Sequence, residues 1–169
     1  MNSRTTLKAG DAGVAQTVKL MTEYVLSYAN NPQIKSISER LRDNSGSCVS
    51  KFKTIKNIFL YITRNMSYTS DPDGVELVKS VKHTILGSKK YGDCDDLSVA
   101  LATLLASAGY KVWFRTIAWK KGQGNDFSHV YVMVELPCGK FVMPLDPSMS
   151  DKGFGNEVKW FRKKDWRIN

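Results

Sequence analysis

The 169-residue sequence predicts an α+β fold, and three observations carry that prediction. Apolar residues in the N-terminal part recur at helical spacing. The stretch from Cys94 to about Ala108 is apolar enough to form a buried central helix. Beyond Gly109 the pattern changes to the two-residue period of strands, in three runs with short or polar connections. Helices followed by an antiparallel meander is an α+β order.

The elements follow from the residues in turn. Residues Met1 to Gly10 are small and polar with little pattern, and are expected to form a flexible lead-in to a single domain over residues 11–169. Asp11 is placed to cap a first helix carrying Val14, Val18, Met21, Tyr24, Val25 and Tyr28. Asn30-Asn31-Pro32 ends it, and Pro32 suits the first turn of a second helix with Ile34, Ile37 and Leu41 on one face. Asp43 to Ser47 reads as a loop. A third helix has Val49, Phe52, Ile55, Ile58, Phe59 and Ile62 as its apolar stripe, which is read as core. Ser70-Asp71-Pro72-Asp73-Gly74 is a turn. From Val75 to Leu86 the pattern is ambiguous: Val75, Leu77 and Val78 suit a short strand or extended run, after which Ser80 can cap a short helix with Val81 and Ile85. Asp93 is placed to cap the central helix, whose buried side is Leu97, Ala100, Leu101, Leu104, Leu105 and Ala108. Gly109 terminates it. The strands are Val112 to Ala118, His129 to Glu135 and Lys140 to Leu145. A glycine-rich polar loop, Lys120 to Phe127, separates the first two, and a hairpin turn at Leu136 to Gly139 joins the last two.

Composition narrows the function classes. A net charge of +9 and a pI near 9.5 suit nucleic acid, anionic lipid or acidic polymers as partners, and equally suit a protein that simply carries excess lysine. The charge is scattered, in Lys51-Phe52-Lys53, Lys89-Lys90, Lys120-Lys121 and Arg162-Lys163-Lys164, so neither a nuclear signal nor a basic DNA-reading helix is present. Three cysteines, Cys48, Cys94 and Cys138, form no disulfide framework by number or spacing, and there is no CxxC. A reducing compartment is the simplest inference. No run of about 18 apolar residues forms a membrane span. The segment MNSRTTLKAGDAG lacks the apolar core of a secretory signal, so the expected location is the cytoplasm.

The chemistry concentrates at Tyr91-Gly92-Asp93-Cys94-Asp95-Asp96. Cys94 falls in the first turn of the central helix, where unpaired N–H groups and the positive end of the helix dipole favour a thiolate. The same N–H groups can hold the oxyanion of a tetrahedral intermediate. Asp93, Asp95 and Asp96 act in the opposite sense, because negative charge beside a sulfur raises its pKa. His129 opens the second strand, and Asp146 closes the third in Pro144-Leu145-Asp146-Pro147. Neighbouring strands of a meander place these two side by side, so the acid can orient the imidazole. Trp119 and Phe127 flank the loop before His129 and are placed either to line a substrate groove or to pack. The acids with His129 and Cys94 are a poor zinc set, since such a site wants more cysteine or histidine. No metal and no cofactor are expected. Cys48, Cys138 and His83 read as bystanders, with His83 on a helix surface.

Tyr91 to Leu105, followed by Ala108-Gly109-Tyr110 and a strand, resembles the cysteine motif of transglutaminase-like domains, a branch of the papain-like thiol enzymes. Phe127-Ser128-His129-Val130-Tyr131-Val132-Met133-Val134 resembles their histidine strand, and Leu145-Asp146-Pro147-Ser148 their aspartate motif. Together these blocks span roughly a third of the chain. The resemblance implies a papain-like core and a catalytic triad of Cys94, His129 and Asp146. It also implies acyl transfer or hydrolysis on a peptide or protein amide. The Cys94 N–H is read as one oxyanion donor and Tyr91 as the second. Asp95 stands where eukaryotic transglutaminases commonly have an aromatic residue, and their additional β-domains and calcium segments are absent. Hydrolysis or a narrow acyl transfer is therefore expected rather than crosslinking. Tyr68 to Val78 resembles the corresponding stretch of small bacteriophage-encoded members. That implies an alternative role as a virion structural or assembly protein retaining the fold. Virion proteins or nucleic acid would then be its partners, and the host cytoplasm or the virion its location.

Overall fold

The computed structural model describes residues 11–72, 77–88, 90–120, 127–136, 138–139 and 141–168. The expected lead-in and much of the glycine-rich loop lie outside these residues. Three helices come first: α1 (Asp11–Tyr28), α2 (Pro32–Leu41) and α3 (Cys48–Asn65). The Asn31 side chain caps α2 by accepting from the Gln33 and Ile34 amides, and Pro32 occupies the first turn, where a missing N–H does no harm. Ser47 caps α3 through the Ser50 amide. Val18, Met21, Val25, Ile34, Ile37, Ile55, Ile58, Phe59 and Ile62 all enter the core. Val49 and Phe52 do not. They lie in the first turns of α3 and both are exposed, although Phe52 meets the Phe154 ring edge-on with centroids 5.5 Å apart.

The central helix is α4 (Cys94–Ser107), and it is buried on nearly every side. Gly109 ends it with a φ of 90°, a conformation that costs glycine little. A four-stranded antiparallel sheet follows, with β3 (Val112–Ala118), β4 (His129–Glu135), β5 (Val142–Leu145) and β6 (Arg162–Arg167) in the order β5-β4-β3-β6. The fourth strand extends the expected meander on the β3 side. Val112, Phe114, Val130, Val132 and Val134 join the helices in the main core. Trp113, Ile117, Tyr131 and Met133 form a second cluster with Val158 packed against it.

Two small elements flank the cysteine helix. Strands β1 (Ser67–Tyr68) and β2 (Tyr91–Gly92) pair in parallel, so the chain enters α4 from a fixed direction. Between them, 77–80 runs without regular structure and 81–85 forms turns rather than the expected short helix. The Ser80 carbonyl accepts from the His83 and Thr84 amides, which closes a turn that is not propagated. His83 is held there by the Ser80 hydroxyl, 3.2 Å from its Nδ1.

The cysteines also depart from expectation. Cys48, at the start of α3, and Cys138, in the β4–β5 turn, form a disulfide across 90 residues. Such a pairing follows from tertiary proximity and leaves no trace in local spacing. It removes the argument from free thiols to a reducing compartment, because an exposed disulfide persists in oxidising surroundings. No described helix is long and apolar enough to cross a membrane.

Candidate active site

Cys94 is the first residue of α4 and the one free cysteine among the described residues. Asp93 holds the N-cap position by its backbone, its carbonyl accepting from the Leu97 amide at 3.1 Å. Its side chain, contrary to expectation, makes no capping hydrogen bond. With an extended backbone at φ −91° and ψ −159°, Asp93 leaves the first-turn amides uncovered by a cap carboxylate.

Asp96 explains much of the motif around it. It is fully buried, and its carboxylate accepts from the Lys79 backbone amide and from the Lys79 ammonium, each at 2.5 Å. The ammonium also reaches Asp71 at 3.2 Å. Burial pushes the Asp96 carboxyl up to about 6, against the pull of Lys79. A Cβ at position 92 would lie 2.4 Å from the Asp96 Cβ, so only glycine lets β2 pass this close to the helix. Gly92, Asp96 and Lys79 thus fix how the chain enters the helix at Cys94.

The sulfur is half-buried and meets β4 at the Val130 amide, which donates to it. Burial, then the charges of Asp95 and Asp93, push the Cys94 thiol well above its usual range, and the Val130 amide opposes them. Two of the acids named from the sequence thus act with burial, and against the Val130 amide, in raising it. Ser98, one turn along α4, donates to the Val130 carbonyl at 3.2 Å and ties the helix to the same point of the strand.

His129 is the residue before Val130. Its Nε2 lies 2.6 Å from Asp146 Oδ2. The Asp146 Oδ1 accepts from the Ser148 amide, the Ser148 hydroxyl and the Met149 amide at 3.1, 2.7 and 3.2 Å. Asp146 thereby caps a short 3-10 helix (Pro147–Lys152) that opens with proline. One oxygen is committed to the turn and the other to the imidazole, which is a physical reason for the Asp-Pro-Ser sequence at a strand end.

The remaining candidates separate. Trp119 is 41% exposed and stacks on His129, with ring centroids 5.3 Å apart and planes at 26°. Tyr131 lies near the same ring, at 5.9 Å. Phe127 is only 8% exposed and packs under the Arg162 guanidinium, 4.6 Å from its ring centre. Of the two aromatic residues flanking the loop, Trp119 reaches the histidine and Phe127 turns inward. Tyr91 sits on β2, 42% exposed, three residues before Cys94. The carboxylates of Asp93, Asp95 and Asp96 lie within 4.8 Å of one another. Asp96 is committed to Lys79, so the cluster is not a ready cation site.

The sequence reading missed Lys79, the Trp119 stack and the double use of Asp146. Only the last had a signal, since aspartate before proline and serine is a cap pattern.

No protein-family model matches the chain, and no curated protein sequence matches it. Solved structures do. A "putative protease" from Parabacteroides distasonis ATCC 8503 superposes with a TM-score of 0.60 at 15% identity, over 77% of this chain and 26% of that one. A "putative cysteine protease" from Cytophaga hutchinsonii gives 0.54 at 14% identity, over 82% of this chain and 51% of that one. This chain therefore spans about a quarter of the first protein and about half of the second. At such identities the likeness concerns the fold, an α+β architecture that these proteins share.

Proposed function

We propose that this chain is a thiol-dependent amide hydrolase or acyltransferase of the transglutaminase-like kind, with Cys94 as nucleophile, His129 as base and Asp146 as its orienting acid. The observation that carries the reading is the 2.6 Å His129–Asp146 pair at the start of the strand whose next amide, that of Val130, meets the Cys94 sulfur. Asp146 takes Nε2, so Nδ1 is the ring nitrogen assigned to the thiol proton. Burial and the charges of Asp95 and Asp93 favour the thiol over the thiolate, so the proton is assigned to leave as the sulfur attacks. The sulfur adds to the amide carbonyl carbon and the proton passes to His129. The first-turn amides of α4 hold the oxyanion. Collapse expels the amine, which takes the proton back, and leaves a thioester on Cys94. Water attacks the thioester in hydrolysis, and a second amine attacks it in transfer. Asp95, in place of an aromatic residue after the cysteine, favours the first.

Turnover of a fluorescent casein and of a glutamine-containing peptide library, with thermal melts as the fold control, tests this. Cys94→Ala is expected to abolish turnover with the fold intact, and His129→Ala to reduce it about 10²–10⁴-fold. Asp146→Asn is expected to be nearly as damaging. The three donors at Oδ1 dictate that the new amide places its oxygen there, so its NH₂ faces Nε2 and forces the ring proton onto Nδ1, where the thiol proton must go. Full activity in Cys94→Ala would end the enzyme reading at this site and make a particle protein retaining the fold the better one.

A further inference from the structure

Resting on that reading, we propose that the outer strand β6 and the segment leading into it form the docking surface for the substrate, an extended polypeptide rich in acidic residues. Among the described residues β6 is a sheet edge, bonded to β3 on one side, so its other edge is open to a further strand. Its end nearest the candidate site is level with it: Lys163 pairs with Ile117, which pairs with His129. Trp119, on the histidine ring, continues the strand that β6 flanks.

The charge on this edge is one-sided for a structural reason. Residues 157–167 contain two acids, Glu157 and Asp165, and both are engaged by the buried Arg115. Its guanidinium holds Asp165 at 2.6 and 2.7 Å and Glu157 at 2.6 Å. Tyr131 donates to Glu157 as well, at 2.7 Å. The cations Lys159, Lys163, Lys164 and Arg167 stay exposed, the last three lying over the rings of Trp160, Trp166 and Trp113. Lysines alone on an edge strand can simply deter sheet-to-sheet association. Here large aromatic residues are exposed beside them, Trp160 at 38% and Phe161 at 49%, which a purely repulsive edge would not carry. An extended chain gains main-chain hydrogen bonds from the edge, apolar contact from the aromatic residues and charge pairing from the cations. An acidic peptide satisfies all three.

The test uses binding, so that it does not depend on turnover. Full-length Cys94→Ala is titrated with a fluorescein-labelled twelve-residue peptide alternating glutamate and valine, followed by anisotropy. A length-matched glutamine–valine peptide and a single-stranded oligonucleotide serve as comparisons. Lys159→Glu/Lys164→Glu is expected to weaken glutamate-peptide binding at least tenfold, and Lys159→Gln/Lys164→Gln severalfold. The same two charge reversals on α3, Lys51→Glu/Lys53→Glu, should change it less than twofold. No binding of the glutamate peptide, or equal losses from the α3 reversals, would overturn the proposal. Tighter binding of the oligonucleotide, abolished by the β6 reversals, would overturn it in favour of nucleic acid. Loss of turnover in Cys94→Ala with no preference for the acidic peptide would sink this proposal alone and leave the enzyme reading standing.

Discussion

Gly92→Ala isolates what the entry into the cysteine helix contributes. The new methyl carbon would lie 2.4 Å from the Asp96 Cβ and 2.4 Å from its Oδ2. A rotamer change can move the carboxylate but not the Cβ, which is fixed to the helix. Residue 92 must therefore withdraw from α4 and take β2 and Asp93 with it. Overpacking of this kind costs about 1–3 kcal/mol, and disturbing the buried Asp96–Lys79 pair adds to it, up to about 3–5 kcal/mol if the pair breaks. A central value of about 3 kcal/mol corresponds to a fall in Tm of about 6–12 °C for a chain of this size. Differential scanning fluorimetry measures it, with Gly46→Ala as the control. Gly46 has open space around it but a φ of 74°, so an alanine there carries backbone strain without a clash. The control is expected to lose about 1–2 kcal/mol. Iodoacetamide labelling of Cys94 should change in Gly92→Ala and not in the control. A Gly92→Ala protein melting within about 2 °C of the parent, with unchanged labelling, would refute the idea that this contact sets the position of Cys94.

Three further outcomes follow from the geometry. Because the Cys94 thiol is held above its usual range, its alkylation should be slow at neutral pH and still rising beyond pH 9, and Asp93→Asn should accelerate it at fixed pH; an unchanged or slower rate would remove Asp93 as a cause. Trp119→Ala should lower kcat about fivefold or more with little change in KM, since a stacked ring contributes about 1 kcal/mol to holding the imidazole, and Trp119→Phe should recover most of it; a rise in KM alone would assign Trp119 to substrate contact instead. Asp165 is held below the usual carboxylate range by its hydrogen bonds from Arg115, and Glu157, despite partial burial, by those from Tyr131 and Arg115. With folded values below unfolded ones, their stabilisation is present above the ordinary carboxylate range and is lost as pH falls through it, so the Tm gap between wild type and Arg115→Met should narrow below about pH 4.

Most of the scaffold was legible because its signals are local. Asn31-Pro32 marks a helix start, and Gly109 marks a helix end. The strand period after Gly109 gives β3 and β4 at the bounds observed. The order of cysteine helix, histidine strand and aspartate strand end led to the one contact between candidate residues that was expected and is seen, His129 with Asp146. The rest depends on partners distant in sequence. Lys79 sits in a segment without a periodic pattern, and its role becomes visible only once Asp96 is buried against it. Strand β6 is written in Arg162-Lys163-Lys164-Asp165-Trp166-Arg167, a polar run that forms a strand because β3 offers an open edge and Arg115 a partner for Asp165. Phe127 was indistinguishable from Trp119 in sequence, since both flank the same loop. Their fates differ because only one of them ends beside the imidazole.

The Cys48–Cys138 bond divides the covalent chain in a particular way. It closes a ring that contains α3, all of α4 with Cys94, and strands β3 and β4 with His129, while Asp146 and β6 lie on the tail outside. Closing a loop of this length removes about 4–5 kcal/mol of freedom from the unfolded chain in the chain-entropy model. It also means that a single peptide bond cut anywhere inside the ring, including the connection between β3 and β4, leaves every residue of the candidate triad in one covalently connected molecule. A cut outside the ring, between Cys138 and Asp146, would instead release the acid with the tail.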